Sequence, residues 1–334
     1  MIEAALIFFI LLLLLILMLS PLESLSWWAG WSTTAEMPLP SDVPYAGEEE
    51  AGHYIVFLTG IGGFSSTKFL PEERAFLDQL ADALPYVRVV DDVYPYTTRD
   101  LGLEEGRPLS WLWRSLIQKK QERRPVGFVI NLRNLLQVLV SADPRYGLIY
   151  SEGIANIVLR ALHRHHYRFG SGVPVTLIGY SGGGEMAISA VNPLKLALRA
   201  PVRVISLGGV MGNDPSMDDV DHLYHLYGRR DRIQQIGAVI FPGRWRWAWR
   251  SAWNRARLDG RVTPIYMGDI GHNGPGGYLD AEAMYDGETH LARTVRVIRN
   301  LVLSRGVEPA APTPPVIIDT PLSDQPQQPG ESRG

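Results

Sequence analysis

The chain has 334 residues, of which 46% are hydrophobic and 20% are charged, so it can bury the core of one large or two small domains, and disorder along its whole length is excluded. It contains no cysteine, which excludes disulfide bonds and thiolate metal sites. A formal net charge of −3 argues against general nucleic-acid binding.

The N-terminal segment is predicted to be a membrane anchor. Ala4–Leu19 is an unbroken apolar run of 16 residues. As a helix it would extend for about 24 Å, close to the thickness of a bilayer's hydrocarbon core. A cleaved signal peptide is the alternative, but no Lys or Arg precedes the run and no Ala-x-Ala site follows it. We therefore predict an uncleaved anchor at residues 1–31, which ends in an interfacial aromatic belt of Trp27, Trp28 and Trp31. The first basic residue is Lys68, which favours an extracytoplasmic position for the domain that follows.

Two further segments are predicted to lie outside the folded domain. Residues 32–52 are rich in Pro, Ser, Thr and Glu and have no periodic apolar pattern, which is typical of a solvated tether. Residues 307–334 carry many Pro, Gln and Asp residues and little apolar area, so we expect a disordered tail. The folded domain is therefore predicted to span residues 53–306.

The folded domain alternates short apolar strands with longer helical stretches. The predicted strands are Tyr54–Leu58, Val87–Val90, Val175–Ile178, Val202–Leu207, Leu223–Tyr227 and Val262–Met267. Continuous apolar strands that alternate with helices indicate an α/β fold, with a mostly parallel central sheet and helices on both faces. In such sheets the functional groups gather at the carboxyl ends of the strands.

A glycine-rich turn, Thr59-Gly60-Ile61-Gly62-Gly63, follows the first predicted strand. No Lys-Ser or Lys-Thr pair follows it, so it does not fit a phosphate-binding loop. We predict an oxyanion loop, in which the Ile61 amide faces the negative oxygen of a tetrahedral intermediate. An ordinary turn is the alternative.

Extra length between the second and third strands predicts a helical insertion at about residues 97–150. Its apolar stretch Phe128–Val140 is interrupted by Arg133 and Asn134, which argues against a second membrane span. We expect helices that cap the functional site or pack beside it.

The pentapeptide Gly179-Tyr180-Ser181-Gly182-Gly183 ends the third strand and opens a predicted helix. Small residues two positions before and after a serine allow the tight strand-to-helix turn of a nucleophile elbow. Such a turn presents the Ser181 hydroxyl. It also directs the Gly182 amide, which has no partner within the helix, towards the oxyanion position.

An aspartate and a histidine follow the ends of later strands. Asp231 comes a few residues after Leu223–Tyr227, and His272 lies in a glycine-rich loop after the last strand. The order serine, aspartate, histidine is the one that a nucleophile elbow predicts, because imidazole can take and return the serine proton while a carboxylate holds its tautomer. The alternatives are a surface aspartate in an arginine-rich turn and a loop histidine bound to backbone groups.

These motifs resemble those of the α/β-hydrolase superfamily, in particular its serine esterases and lipases, over residues 52–305. The resemblance implies that Ser181 is the nucleophile, His272 the general base and acid, and Asp231 the carboxylate that orients it. It also implies an oxyanion hole formed by the amides of Ile61 and Gly182. The chain departs from the family at Thr59, where many members have histidine, and in the short connection after the fourth strand, where many members have a lid.

On this interpretation the chain is a membrane-anchored serine hydrolase that cleaves a carboxylic ester, of a lipid or another small acyl compound, through an acyl-enzyme. Acyl transfer, thioester hydrolysis and peptide hydrolysis would use the same residues. A non-catalytic binding or scaffold module with the same fold is the alternative from another class. The oligomeric state stays open.

The segment 244–257 interleaves tryptophans with arginines. If it is helical, Trp245, Trp249 and Trp253 share one stripe beside Arg246 and Arg250. Such a face can lie among lipid headgroups, so we predict membrane contact here as well as at the N-terminal helix. Packing of the stripe on its own domain is the alternative.

Three histidines, His163, His165 and His166, could suggest a metal site. Only His163 and His166 can share a helix face, and no carboxylate completes the set, so we interpret the group as a basic helix end. His222 and His225 are interpreted in the same way. The sequence implies no metal and no cofactor.

Overall fold

The computed structural model describes residues 51–65, 69–96, 115, 117–118, 128–142 and 147–304. The predicted anchor, most of the predicted tether and the predicted tail lie outside these residues. Within the described ranges, none of the helices combines the length and the apolar character needed to cross a bilayer.

Six parallel strands form the central sheet, in the order β2-β1-β3-β4-β5-β6. They are β1 (His53–Leu58), β2 (Val87–Val90), β3 (Val175–Tyr180), β4 (Val202–Leu207), β5 (His222–Tyr227) and β6 (Val262–Tyr266). A short antiparallel pair follows, β7 (Met284–Tyr285) and β8 (Glu288–Thr289). The predicted α/β class with a mostly parallel sheet is confirmed.

Helices cover both faces of this sheet. They are α1 (Pro71–Ala83), α2 (Phe128–Ser141), α3 (Gly147–Arg164), α4 (Gly183–Ser189), α5 (Val191–Leu198), α6 (Arg232–Ile240), α7 (Ala252–Leu258) and α8 (His290–Leu303). Successive side chains of a strand point to opposite faces. Val56 therefore packs in the core beneath α2–α5 and α7, whereas Phe57 packs in the core beneath α1 and α8. The central strands β1 and β3 are covered on both faces and are buried along almost their whole length.

The carboxyl ends of the strands lie side by side, which places the functional loops at one edge. Leu58 of β1 is paired with Gly179 of β3, and Tyr180 is paired with Leu207 of β4. The last residue of β5, Tyr227, is paired with Tyr266 of β6. The glycine-rich turn, the serine elbow and the loops that carry Asp231 and His272 therefore all begin at the same edge.

The tryptophan- and arginine-rich segment does not form the helix on which the predicted stripe depended. Helix α6 ends before Pro242, which has no amide hydrogen to continue it, and a 3₁₀ turn at Pro242–Arg244 follows. Helix α7 begins only at Ala252. Trp253 is buried, and the Arg244 guanidinium lies 4.0 Å from its ring centroid. Trp249 is exposed, so Trp245, Trp249 and Trp253 do not share one face.

Candidate active site

Ser181 lies in a tight turn between β3 and α4. Its φ of 53° falls in the left-handed region, which side chains other than glycine rarely adopt. The surrounding backbone holds this conformation, because the Ser181 amide donates to the carbonyl of Leu207 at 3.0 Å and its carbonyl accepts from the amides of Gly184 and Val210. The turn also requires Gly183, where a Cβ would overlap the carbonyl oxygen of Leu58.

The structure brings the three predicted side chains together. The Ser181 Oγ lies 2.8 Å from Nε2 of His272, and Nδ1 of His272 lies 2.9 Å from each carboxylate oxygen of Asp231. Ser181 and His272 are 8% exposed, and Asp231 is fully buried. The hydroxyl, imidazole and carboxylate therefore form one continuous hydrogen-bonded chain, with its most exposed end at Ser181 and His272. Asp231 is not a surface residue, and His272 binds side chains rather than backbone groups.

Three groups besides the imidazole donate hydrogen bonds to the Asp231 carboxylate. It caps helix α6, since its Oδ1 accepts from the amides of Ile233 and Gln234 at 3.0 and 3.1 Å. Its Oδ2 accepts from the Tyr278 hydroxyl at 2.8 Å, and that hydroxyl in turn accepts from the Gly228 amide at 2.8 Å. Burial, followed by the charge of Asp231, raises the pKa of Tyr278, so the phenol keeps its proton and remains a donor.

The loop that carries His272 is attached to the serine elbow by Tyr180. The Tyr180 hydroxyl donates to the His272 carbonyl at 2.8 Å, and its ring stacks on the imidazole at 5.8 Å between centroids. Burial raises the pKa of Tyr180, so this hydroxyl also stays protonated. Because Tyr180 directly precedes Ser181, these contacts connect the elbow to the histidine loop.

The predicted oxyanion loop lies against the elbow. The amide of Gly63 donates to the carbonyl of Gly60 at 2.8 Å, which closes a turn with Ile61 at its tip. A Cβ on Gly60 would lie 3.1 Å from the Cβ of Ser181, and a Cβ on Gly182 would lie 2.8 Å from the Ile61 Cγ2. Within the described part of the chain, neither the Ile61 amide nor the Gly182 amide donates a hydrogen bond. Both amides are therefore adjacent to Ser181 and available to an anionic oxygen.

Sequence reasoning missed the residue that braces this loop, Asn134 on helix α2. Its Nδ2 donates to the carbonyls of Ile61 and Gly63, each at 2.8 Å. Its Oδ1 accepts from the Tyr94 hydroxyl at 3.1 Å and from Arg133 at 3.2 Å. The pair that interrupts the apolar stretch of α2 is thus buried, and this helix, which belongs to the predicted insertion, packs beside the oxyanion loop. The only sequence signal was the placement of two polar residues where an apolar face was expected.

Thr59, the first residue after β1, also helps to hold this loop. Its Oγ1 donates to the Glu73 carboxylate on α1 at 2.5 Å. Its carbonyl accepts from the Tyr96 hydroxyl at 2.9 Å. The loop is therefore held by α1 on one side and by α2 with Tyr96 on the other.

A second buried polar cluster lies behind the elbow. Glu185 of α4 accepts from the Gly212 amide at 2.7 Å, and burial, followed by the charge of Asp214, raises its pKa to about 8. Asp214 accepts from the Ser189 hydroxyl at 2.6 Å. Burial lowers the pKa of His225 to about 4, so this histidine is neutral at physiological pH. No pattern in the sequence indicates that Glu185 is buried.

The remaining histidines have structural contacts. His165 lies 3.0 Å from the Asp92 carboxylate, His163 stacks on Phe169, and the nitrogens of His225 lie 3.1 Å from Ser206 Oγ and 3.3 Å from Gln234 Oε1. Among the described residues, no group of three or more metal-ligating side chains comes together.

No family model matches the chain, and no curated protein matches it. Among solved structures, the crystal structure of esterase PE8 is similar over 75% of this chain and 93% of that chain, with 16% sequence identity and a TM-score of 0.39. At this identity and TM-score the likeness carries no argument about function.

Proposed function

We propose that the protein is a membrane-anchored serine hydrolase of the α/β-hydrolase kind, which cleaves a carboxylic ester through an acyl-enzyme intermediate. The observation that carries the proposal is the unbroken chain from Ser181 Oγ through His272 to Asp231, with distances of 2.8 and 2.9 Å. A hydroxyl on a strained elbow beside two free amides is the arrangement that acyl transfer requires.

In the first half of the reaction Ser181 attacks the ester carbonyl. Its oxygen bonds to the carbonyl carbon while its proton passes to Nε2 of His272, and Asp231 stabilises the imidazolium that forms. The amides of Ile61 and Gly182 donate to the negative oxygen of the tetrahedral intermediate. The intermediate collapses by breaking the bond to the alkoxy group, which takes the proton from Nε2 and leaves as the alcohol.

In the second half a water molecule attacks the ester formed on Ser181. His272 takes a proton from the water and returns it to the departing Ser181 oxygen, while the same two amides stabilise the second oxyanion. The acid is released and the hydroxyl is restored. The reaction consumes one water and needs no cofactor.

An apolar acyl group suits the surroundings of the Gly182 amide. A Cβ at Gly182 would lie 3.0 Å from Val138 Cγ2 and 3.4 Å from the Tyr96 hydroxyl, with Ile61 on the third side. We therefore expect the acyl chain to contact the aliphatic side chains of the loop and of α2. Rates with p-nitrophenyl esters of increasing acyl length test this expectation, and a preference for acetate over every longer acyl chain would contradict it.

A fluorophosphonate probe tests the hydrolytic proposal directly. The wild-type protein should be labelled at Ser181, and Ser181→Ala should abolish the label. Ser171→Ala removes a hydroxyl from an exposed loop and should be labelled like the wild type. A correctly folded wild-type protein that never reacts would favour a binding module. Release of free acid, rather than transfer to an added alcohol, distinguishes a hydrolase from an acyltransferase.

The membrane anchor in this proposal is supported by the apolar run Ala4–Leu19. The full chain should stay in membranes washed with alkaline carbonate, and Leu13→Asp combined with Ile16→Arg should release it, because charges are costly at the centre of a bilayer. Since the chain has no cysteine, a Tyr86→Cys variant gives one reactive thiol. Labelling of this thiol in intact cells by an impermeant maleimide is expected for an extracytoplasmic domain, and protection would place the domain on the other side.

A further inference from the structure

Helix α6 turns its apolar side towards solvent. The residues that it buries are Gln234 and Gly237, whereas its exposed side carries Ile233, Ile236, Val239 and Ile240. An amphipathic helix on a soluble domain ordinarily buries its apolar stripe. The reversed orientation leaves a row of aliphatic side chains without cover, and Val239 alone is 68% exposed.

The tryptophan-rich loop extends this row. The Trp245 indole nitrogen donates to the carbonyls of Ala238 and Val239 at the end of α6, at 2.9 and 3.2 Å. The Trp247 ring lies 5.5 Å from the Trp245 ring, and Trp247 and Trp249 are 71% and 65% exposed. We call the resulting area the α6–tryptophan surface; it consists of Ile233, Ile236, Val239, Ile240, Trp245, Trp247 and Trp249. Contiguous exposed apolar areas of this kind mark interaction sites.

Positive charge accompanies the α6–tryptophan surface. Residues 229–261 contain nine arginines and two aspartates, with no lysine or glutamate, although the whole chain has a net charge of −3. Arg232, Arg246 and Arg250 are exposed, and none of them pairs with a carboxylate in the part of the chain that the structure describes. The Arg250 guanidinium lies 5.5 Å from the Trp249 ring centroid. Arginine and indole groups are thus presented together.

We propose that the α6–tryptophan surface binds a bilayer that contains anionic phospholipid, with the indoles at the headgroup level and the arginines on lipid phosphates. Indole rings favour the membrane interface, and each arginine near an anionic surface adds favourable electrostatic energy. Arg244 and Trp253 are excluded from this surface, because Trp253 is buried and the Arg244 guanidinium lies over its ring.

The remainder of the chain agrees with a bilayer as the occupant. The apolar run Ala4–Leu19 precedes the first described residue, Ala51, and residues 32–50 can extend for about 60 Å at most. Given the anchor proposed above, a domain attached to a membrane span by a segment of this length stays within reach of the bilayer. The surface does not depend on chemistry at Ser181, so the Ser181→Ala variant should bind in the same way and the two proposals can fail separately.

The test uses the full chain reconstituted into vesicles of phosphatidylcholine and phosphatidylserine. Because the sequence has no cysteine, Val239→Cys provides a single thiol on the surface for an environment-sensitive dye. Tyr86→Cys is the matched control, since Tyr86 is 84% exposed but lies before β2, at the amino edge of the sheet. Trp247→Cys is a second surface position if the first variant folds poorly.

The dye at position 239 should shift to the blue and be quenched by a spin-labelled lipid, whereas the dye at position 86 should remain accessible to aqueous iodide. Arg246→Glu combined with Arg250→Glu should reduce the lipid-quenched fraction on the order of tenfold. A dye at position 239 that iodide quenches freely in the vesicles would overturn the proposal. A dye that neither iodide nor the lipid quenches would also overturn it, and would assign the surface to a second copy or to another segment of this chain.

Discussion

Because Asn134 holds the oxyanion loop through two hydrogen bonds, we predict that Asn134→Asp lowers kcat. The substitution replaces one nitrogen by oxygen and keeps the Oδ1 that accepts from Tyr94 and Arg133. It removes the two 2.8 Å hydrogen bonds to the carbonyls of Ile61 and Gly63. The new oxygen faces two carbonyl oxygens and repels them.

The loss of kcat expected for Asn134→Asp cannot exceed the contribution that one oxyanion-hole donor makes to the rate. The turn that presents the Ile61 amide is closed by the bond from the Gly63 amide to the Gly60 carbonyl, and Asn134 fixes the peptides at Ile61 and Gly63. Without Asn134 the turn can rotate the Ile61 amide away from Ser181. Loss of one such donor costs on the order of 10² to 10³ in kcat, so we expect kcat to fall by about 10-fold to 10³-fold. KM should change by less than about threefold, because the oxyanion exists only during the reaction.

The assay is steady-state hydrolysis of a p-nitrophenyl ester, with active sites titrated by a fluorophosphonate. Ser141→Ala is the control, because Ser141 is also buried on α2 and its hydroxyl donates to the Val138 carbonyl of the same helix at 2.9 Å. The control should lose about 1 kcal/mol of unfolding free energy and keep its kcat. An Asn134→Asp protein with wild-type near-UV circular dichroism and with kcat within about twofold of wild type would refute the bracing role.

Three further predictions concern the buried groups around the elbow. Tyr278→Phe removes one hydrogen-bond donor from Asp231 and leaves the Gly228 amide unpaired, so kcat should fall about tenfold. Tyr167→Phe is the control and should keep its kcat, because the Tyr167 hydroxyl donates to the Val173 carbonyl away from the site. Equal losses of kcat in the two variants would contradict the prediction. Burial raises the pKa of Glu185 from 4.5 to about 8, so the native state holds the proton more tightly than the unfolded state does. The stability that Glu185 contributes is therefore fully present below pH 4.5 and is lost as the pH rises through about 8. The free energy of unfolding, measured with urea from pH 5 to 9, should therefore fall by a few kcal/mol more in the wild type than in Glu185→Gln. If the unfolding free energies of the two proteins change with pH in parallel, the pKa of Glu185 is not raised. Gly183→Ala should destabilise the protein by more than about 2 kcal/mol in the same assay, because the new Cβ would overlap the Leu58 carbonyl. Gly52→Ala is the control and should leave the stability unchanged, because a Cβ at Gly52 has no atom within 4 Å. A Gly183→Ala protein as stable as the wild type would mean that the elbow can relax.

The framework of the site could be predicted from sequence because its determinants are local. The strands are short runs rich in β-branched and apolar residues, and the glycines around Ser181 directly specify a tight turn. Once the strands are assumed to be parallel, Asp231 and His272 must begin from the edge where Ser181 lies. The spatial convergence follows from the order of the elements, without knowledge of any side-chain contact.

The residues that hold the site could not be predicted in this way. Asn134 binds the carbonyl of Ile61 across 73 positions, and Tyr278 binds Asp231 across 47 positions. Backbone carbonyls occur at every residue, so no residue type in the sequence indicates which one a buried amide or phenol will meet. The prediction for the tryptophan segment was wrong for a different reason, because it assumed helical spacing from Trp245 to Trp253, whereas the chain forms turns over residues 245–251 and the helix begins only at Ala252.

The exposed apolar side of α6 follows from the way in which this helix is fixed to the site. Its first turn is capped by the carboxylate that also holds His272, and its inner side places Gln234 against His225. A Cβ at Gly237 would lie 2.9 Å from the carbonyl oxygen of Met211, so the helix is seated closely on the loop after β4. Rotation of α6 to bury its isoleucines would remove the caps from Asp231 and force a larger side chain into the position of Gly237. The geometry of the Asp231 carboxylate therefore requires the apolar side to face outward, and the same residue that orients the imidazole determines where the α6–tryptophan surface lies.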